Sequence, residues 1–274
     1  MLRKRLIPIL LLRGRGLVKT VKFGESKYVG DPINAVRIFN DKEVDELVFL
    51  DINASKESCE PDYILVENIA SECFMPFAYG GGIQNLSQIK KLFHLGVEKV
   101  VLNSVLYENT SLLSSAAGFF GSQSIIASID VKYNFWRQPR VFSHISGSTL
   151  DIHPIDFAKK LAMAGAGEII LNSVDKDGTQ TGYDYPLIRS VASAVRIPVV
   201  ACGGASSIED MGKALNQCGA SAAAAGSFFV FKGKHRAVLI TYPTQADISA
   251  NKYLASFSTN FSPCNSLSSS SIFH

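Results

Sequence analysis

The hydrophobic pattern of this chain alternates between short, nearly continuous apolar runs and longer amphipathic stretches. Eight runs rich in aliphatic and β-branched residues fall near residues 6–12, 47–52, 74–79, 99–103, 124–130, 168–173, 198–202 and 220–226. Runs that are apolar on both faces and separated by helical periodicity predict strands of a parallel sheet covered on both sides. Helical patterns between them include 85–95, 154–164, 184–195 and 207–217, several opened by Ser, Asn or Asp at the N-cap. Two connections that follow strands are longer than usual and read as loops: 13–30, and 131–152 with Phe135, Trp136 and His144.

The same statement is made twice. Glu46-Leu-Val-Phe-Leu-Asp51, Gly80-Gly81-Gly82-Ile83 and Gly96 to Asn103-Ser104 recur as Glu168-Ile-Ile-Leu-Asn172-Ser173, Cys202-Gly203-Gly204 and Gly219 to Gly226-Ser227. The offset is 122 residues from Glu46 to Glu168 and from Gly82 to Gly204, and 123 from Gly96 to Gly219. A period this long is too great for a solenoid and predicts a duplicated half-domain closed into one ring. The fold expected is therefore a single (β/α)8 TIM barrel, residues 1–247, built from two duplicated half-barrels, which suits a chain of 274 residues. From about Ile248 the sequence turns Ser- and Asn-rich without amphipathic period, and 248–274 is predicted to be a disordered tail.

Composition narrows the function classes. Lys plus Arg number 27 against 24 Asp plus Glu, and no basic stripe with interleaved aromatics accompanies the net charge of +3, which argues against nucleic acid. No apolar run is long enough to span a membrane. The opening Met1-Leu-Arg-Lys-Arg-Leu-Ile-Pro8 resembles a charged leader, but Pro8 and the missing cleavage site make it read as a first barrel strand. Five cysteines without CxxC spacing imply reduced thiols and a cytoplasmic location, and five histidines that fall singly offer no metal site. No cofactor is expected.

Three sets of residues carry candidate chemistry. Gly81-Gly82 and Gly203-Gly204 each follow a strand and precede a helix, and each half adds a small polar pair, Asn103-Ser104 or Gly226-Ser227. Backbone without side chains lets amide N–H groups approach phosphate oxygens, so two matching cradles predict a substrate phosphorylated at both ends. Asp130 and Asp51 end apolar runs and belong at the C-terminal rim, where a carboxylate serves as acid or base. Asp177-Gly178-Thr179 supplies a third rim acid, equally compatible with a turn. At the opposite end Arg5, Glu46, Lys99 and Glu168 stand just before strands with alternating sign, a pattern that physics alone reads as a solvated salt-bridge ring.

Taken together, Ile7-Pro8, Val18-Lys19, Gly30-Asp31-Pro32, Asp45 to Ile52, Gly80 to Ile83, Asn103-Ser104, Phe120 to Gln123, Asp175 to Thr179 and Gly203 to Ala205 resemble the cyclase subunit of imidazole glycerol phosphate synthase, over residues 1 to about 240. The resemblance implies a barrel that takes ammonia from a separate glutaminase subunit and adds it to a ribulosyl bisphosphate. An imidazole ring then closes and an aminoimidazole ribotide is expelled. It makes Arg5, Glu46, Lys99 and Glu168 an ammonia gate, Glu98 a contact with the glutaminase, and Gly81, Gly82, Asn103, Ser104, Asp177, Gly178, Gly203, Gly204, Gly226 and Ser227 the phosphate-binding set. Two departures stand out: Leu11 occupies the position of a catalytic Asp, and Gln84 a position where the family often has Arg. Asp130 and Lys19 remain as catalytic groups.

An intact gate, intact cradles and a missing acid are similar to a divergent branch of these cyclases. That branch works with a glutaminase and a third protein, a sugar amidotransferase, in making amidated surface-polysaccharide sugars. Three readings stay open: a cyclase-type synthase subunit, either of histidine biosynthesis or recruited to sugar amidation; a non-catalytic activator of the glutaminase that conducts ammonia; and the related barrel isomerase, which lacks the charged gate.

Overall fold

In the computed structural model, which describes residues 4–233 and 235–254, eight parallel strands close into a barrel. They are β1 Arg5–Arg13, β2 Leu47–Asp51, β3 Phe77–Gly80, β4 Lys99–Leu102, β5 Ile125–Tyr133, β6 Glu168–Ser173, β7 Val199–Cys202 and β8 Ala222–Ala225. Each pairs with the next, and β8 returns to β1 through Arg5↔Ala222 to Pro8↔Ala225. The predicted (β/α)8 fold is thus present.

Seven helices cover the outside: α1 Pro32–Asp41, α2 Tyr63–Glu72, α3 Leu86–His94, α4 Ser111–Phe120, α5 Pro154–Met163, α6 Tyr185–Ala194 and α7 Ile208–Gln217. Their starts are set locally. The carboxylate of Asp62 accepts from the Leu65 amide and that of Asp184 from Leu187, while Asn85 and Ser207 cap Gln88 and Asp210 in the same way. Such side-chain caps satisfy amides that the first helical turn leaves without partners. Both pairs of caps are 122 residues apart, so the duplication extends to the caps.

Strand alternation sorts the core into two shells. Leu6, Leu10 and Leu12 of β1 face outward into the helix layer with Phe39, Phe49, Ile69 and Ile89. Ile7 and Ile9 face inward with Val48, Ala78, Val101 and Ile126, and Leu11 packs on that inner cluster. The interior is therefore layered: charged at the N-terminal end of the strands, apolar in the middle, polar at the C-terminal end.

Three expectations change. Residues 13–30 are an ordered β ribbon: Gly16–Lys19 pairs antiparallel with β1 and with Lys27–Gly30, and Gly14, at φ +56, sits in the tight turn after Arg13. Residues 131–152 likewise carry β5 onward into a hairpin with Pro139–Ser143, in register Val131↔Val141. The boundary placed at residue 248 falls inside a helix, Gln245–Ala250, and Leu254 is buried against the barrel. The remainder of the Ser- and Asn-rich segment, from residue 255, lies outside the described residues.

After β8 the wall is completed by a short helix, Ser227–Val230, and by an extended return in which Thr241 donates to Phe229 O. Phe229 is fully buried and stacks on Tyr242, whose hydroxyl bonds Leu6 O at 2.9 Å and so ties the return to β1. Replacing Phe229 by Ala is expected to lower unfolding stability by about 3–5 kcal/mol, the usual range for emptying a buried aromatic site. A shift of the urea midpoint without loss of barrel circular dichroism is the check.

Candidate active site

The C-terminal ends of the strands surround one large cavity of about 360 Å³. Its floor is the top of the apolar inner shell, including Ile9, Leu50, Val101 and Ile170. Leu11 lines this cavity from β1 and Asp130 lines it from β5, half the ring away. The two positions that the family resemblance assigns to a pair of carboxylates therefore open on one space, and one of them is a hydrocarbon.

Asp130 is buried and held from both sides. Asn103 Nδ2 donates to its Oδ2 at 3.0 Å and Asn172 Nδ2 to its Oδ1 at 3.1 Å. Burial raises its pKa to about 6, against the opposing pull of the two amides. Asn103 is fixed in turn, because its Oδ1 accepts from the Tyr107 hydroxyl at 2.6 Å. Among the described residues Asn172 Oδ1 is buried without a hydrogen-bond partner.

Lys19 reaches in from the ribbon, and its ammonium donates to Ile9 O at 2.5 Å. Its pKa falls to about 8 because burial disfavours the charge, while Asp177 opposes the fall. Asp177 itself rises to about 6 through burial, countered by Lys19 and by Thr20. Gly226 makes room for this ammonium, since a Cβ there would sit 2.2 Å from Lys19 Nζ.

The predicted phosphate-binding residues divide. Gly81, Gly82 and Ser104 line one side of the cavity. Gly203, Gly204, Gly178 and Ser227 surround a small adjoining recess that shares Asp177 and Gly226 with the cavity. Gly82 has φ +69, and a Cβ would meet Cys59 O at 2.4 Å, so packing of the loop after β2 demands glycine there whether or not a phosphate binds. The side chains of Asn103 and Asp177 have protein partners. The Asn103 amide group is committed to Asp130, and the Asp177 carboxyl lies by Lys19 and Thr20 while its backbone N–H donates to Ser173 O. A carboxylate would also repel a phosphate. Asp51 is occupied as well, accepting from the amides of Asn53 and Ala54.

Sequence reasoning gave no phosphate-site role to three basic residues near the cradles, of which it named only His144, in the long connection 131–152. Lys56 and His144 line the first side, and Arg236 Nη2 lies 3.4 Å from Ser227 Oγ on the second. No periodicity or spacing marks them, because each comes from a loop whose path only the fold reveals.

At the other end of the barrel the four charges form a closed ring. Arg5 bonds both Glu46 and Glu168 through its two terminal nitrogens, and Lys99 Nζ lies 2.8 Å from Glu46 and 3.4 Å from Glu168. Burial opposes the Arg5 charge, but Glu168 and Glu46 together hold its pKa above the ordinary value. The carboxylates are 3% and 7% exposed, too buried for the solvated surface ring that charge pattern alone suggested. Glu98 is exposed beside Lys99. Among the described residues no group of His, Cys, Asp and Glu is arranged to hold a metal, and no helix is long and apolar enough to cross a membrane.

Comparison with known proteins agrees with this geometry. A family profile described as histidine biosynthesis protein matches residues 5–236. A protein of Pseudomonas aeruginosa provisionally named imidazole glycerol phosphate synthase subunit hisF2 is 55% identical over 243 residues, 89% of this chain and 97% of that one. One of Vibrio vulnificus, provisionally named as subunit hisF3, is 48% identical over 248 residues, 90% and 95% of the two chains. The imidazole glycerol phosphate synthase subunit HisF of Hyphomonas neptunium is 40% identical over 233 residues, 84% and 91%.

Two measurements probe the buried charges. The Asp130 pKa is raised above its unfolded value near 3.9, so the ionised carboxylate costs stability at neutral pH, and that cost fades as pH falls from about 6 to about 4. Asp130→Asn should therefore be more stable than the parent by roughly 1–3 kcal/mol at pH 7.5 and equal to it near pH 4. Chemical denaturation at both pH values tests this, and an equal difference at both would refute it. For the ring, Lys99→Met should cost about 1–3 kcal/mol by leaving two buried carboxylates to one cation, and Glu46→Gln in the same chain should restore part of the loss.

Proposed function

Since the chain belongs to the imidazole glycerol phosphate synthase cyclase-subunit family of histidine biosynthesis proteins, we propose that it is an ammonia-handling subunit of that type, diverted from ring closure to the amidation of another acceptor. In this reading a separate glutaminase docks on the face that holds Arg5, Glu46, Lys99, Glu168 and Glu98, and releases ammonia at the charged ring. The ammonia crosses the apolar inner shell as the neutral molecule and emerges beside Leu11 and Asp130. The acceptor is a surface-polysaccharide sugar carried by a third protein, a sugar amidotransferase.

The observation that carries the proposal is Leu11. Joining ammonia to a ketose phosphate and closing an imidazole ring needs protons delivered on one side and removed on the other, and a hydrocarbon side chain does neither. Loss of one positioned acid-base group typically lowers a rate about 10²- to 10⁴-fold. The charged ring and the uncharged middle layer that this reading uses are both present. The similarity to provisional second and third copies of the cyclase subunit supports the same reading.

A second reading rests on Asp130 and Lys19. Their pKa values of about 6 and 8 bracket neutrality, so a base and an acid still face the cavity, and a slow histidine-pathway cyclase remains compatible with the geometry. A cyclase assay with the ribulosyl bisphosphate and excess ammonium salt at alkaline pH separates the two without any partner. The diverted subunit should turn over at least about 100-fold more slowly than its Leu11→Asp variant, and Asp130→Asn should abolish what remains. Wild-type turnover within about tenfold of Leu11→Asp would instead establish a working cyclase.

A further inference from the structure

The first phosphate cradle lacks a nearby cation in its own sequence motif. Gln84 follows the glycine run, is exposed, and spends its backbone amide on Gln88 Oε1 at 2.7 Å. The fold brings charge from elsewhere. The loop after β2 lies across the cradle, with the Gly82 amide donating to Ser55 Oγ at 3.3 Å and Lys56 next in sequence. From the opposite side the hairpin that continues β5 carries His144 into the same cavity. Lys56 forms no ion pair among the described residues, and His144 makes no side-chain hydrogen bond among them. The two lie close enough that, after burial, the charge of Lys56 is what holds the imidazole pKa below its ordinary value.

Lys56 and His144 both line this cavity, and an anion bound there gains from the ammonium and, once the imidazole is protonated, from both. Acids are present nearby but engaged: Asp51 caps Asn53 and Ala54, and Glu57 accepts from Asn53 Nδ2. Glu25 is exposed at the cavity's edge, with Arg13 on the same wall.

We infer that Lys56 and His144 form the basic half of a phosphate-binding subsite whose other half is the hydroxyls of Ser55, held by the Gly82 amide, and Ser104. The ligand is a phosphate dianion, either free or at the end of a phosphorylated sugar. The subsite stands in for the charge that Gln84 does not provide. It rests on the reading of the glycine runs as phosphate cradles, and it assigns to that reading two residues, from two different loops, that the glycine motifs do not contain. Because one of the cations is an imidazole, binding is coupled to pH: the anion raises the His144 pKa, and affinity rises as pH falls through the histidine range.

The probes are inorganic sulfate, which stays a dianion over the whole range and does not titrate with the protein, and ribose 5-phosphate. Each is titrated calorimetrically into the wild type, Lys56→Ala, His144→Gln and the double variant, at pH 5.5 and 7.5. Lys56→Ala should weaken binding about three- to tenfold at both pH values. His144→Gln should remove the extra affinity at low pH while leaving binding at pH 7.5 nearly unchanged. Asp130 and Asp177 also protonate on acidification and reduce negative charge in the cavity, so the comparison with His144→Gln isolates the imidazole.

Binding of both probes identifies a sugar phosphate as an accessible ligand, and binding of sulfate alone limits the subsite to free anions. Wild-type affinity and pH dependence preserved in the double variant would overturn the assignment while leaving the cradle reading intact. Failure of the wild type to bind either probe would overturn both.

Discussion

Closure of the barrel at the seam between β8 and β1 is the constraint from which the rest follows. Strand β8 is four alanines, and β1 meets it with Arg5, Leu6, Ile7 and Pro8 in register. Small side chains at the seam let eight strands close without overfilling the interior, and they leave space at Gly226 for the Lys19 ammonium. Once the ring is shut, alternation along the strands fixes which residues share a layer. Arg5, Glu46, Lys99 and Glu168 are driven together at one end, and Leu11, Asp130, Asn103 and Asn172 at the other. Neither cluster exists in any half-barrel alone.

The two clusters handle charge in opposite ways. The ring neutralises itself: two buried carboxylates take two cations, each cation touching both acids. Removing water from such groups is costly, and only a reciprocal arrangement of this kind offsets it. At the cavity the charges are kept apart and under tension. Asp130 has amides but no cation as hydrogen-bond partner, and its pKa rises; Lys19 bonds a carbonyl rather than a carboxylate, and its pKa falls. Groups poised in this manner exchange protons near neutrality.

Much of this was legible in the sequence, and the reason is the duplication. One glycine pair is a turn; two at an offset of 122 residues, with caps Asp62 and Asp184 at the same offset, specify a repeated βα architecture. The charged ring was legible as a pattern but not in its burial, because burial depends on how far the strands extend beyond it. The ribbon of residues 13–30 was read as loop, since its glycines and charges hide the pairing of Leu11 with Val18. Asn103 and Asp177 belong to the phosphate-binding set that the family resemblance implies. Their side chains engage Asp130 and Lys19, a pairing that depends on side-chain direction, which motif position does not encode. Lys56 and Arg236 had no signal, and His144 had only its place in the long connection 131–152.

The substitution at position 11 changes the cavity in a way that a count of catalytic groups understates. Leu11 packs with Leu50 on the inner apolar cluster, so on the β1–β2 wall the hydrocarbon layer extends one residue further toward the mouth than it does on the β5–β6 wall. The upper cavity is therefore one-sided, with hydrogen-bonding groups on Asp130, Asn103 and Asn172 and none opposite them at position 11. A reaction that needs a carboxylate on each wall lacks the one on β1, and only Lys19, from the ribbon beside it, brings a titrating group to that side. Passage of a neutral amine loses nothing, since an apolar wall neither protonates ammonia nor holds it by hydrogen bonds. In the proposed reading the same change penalises ring closure and leaves transit untouched.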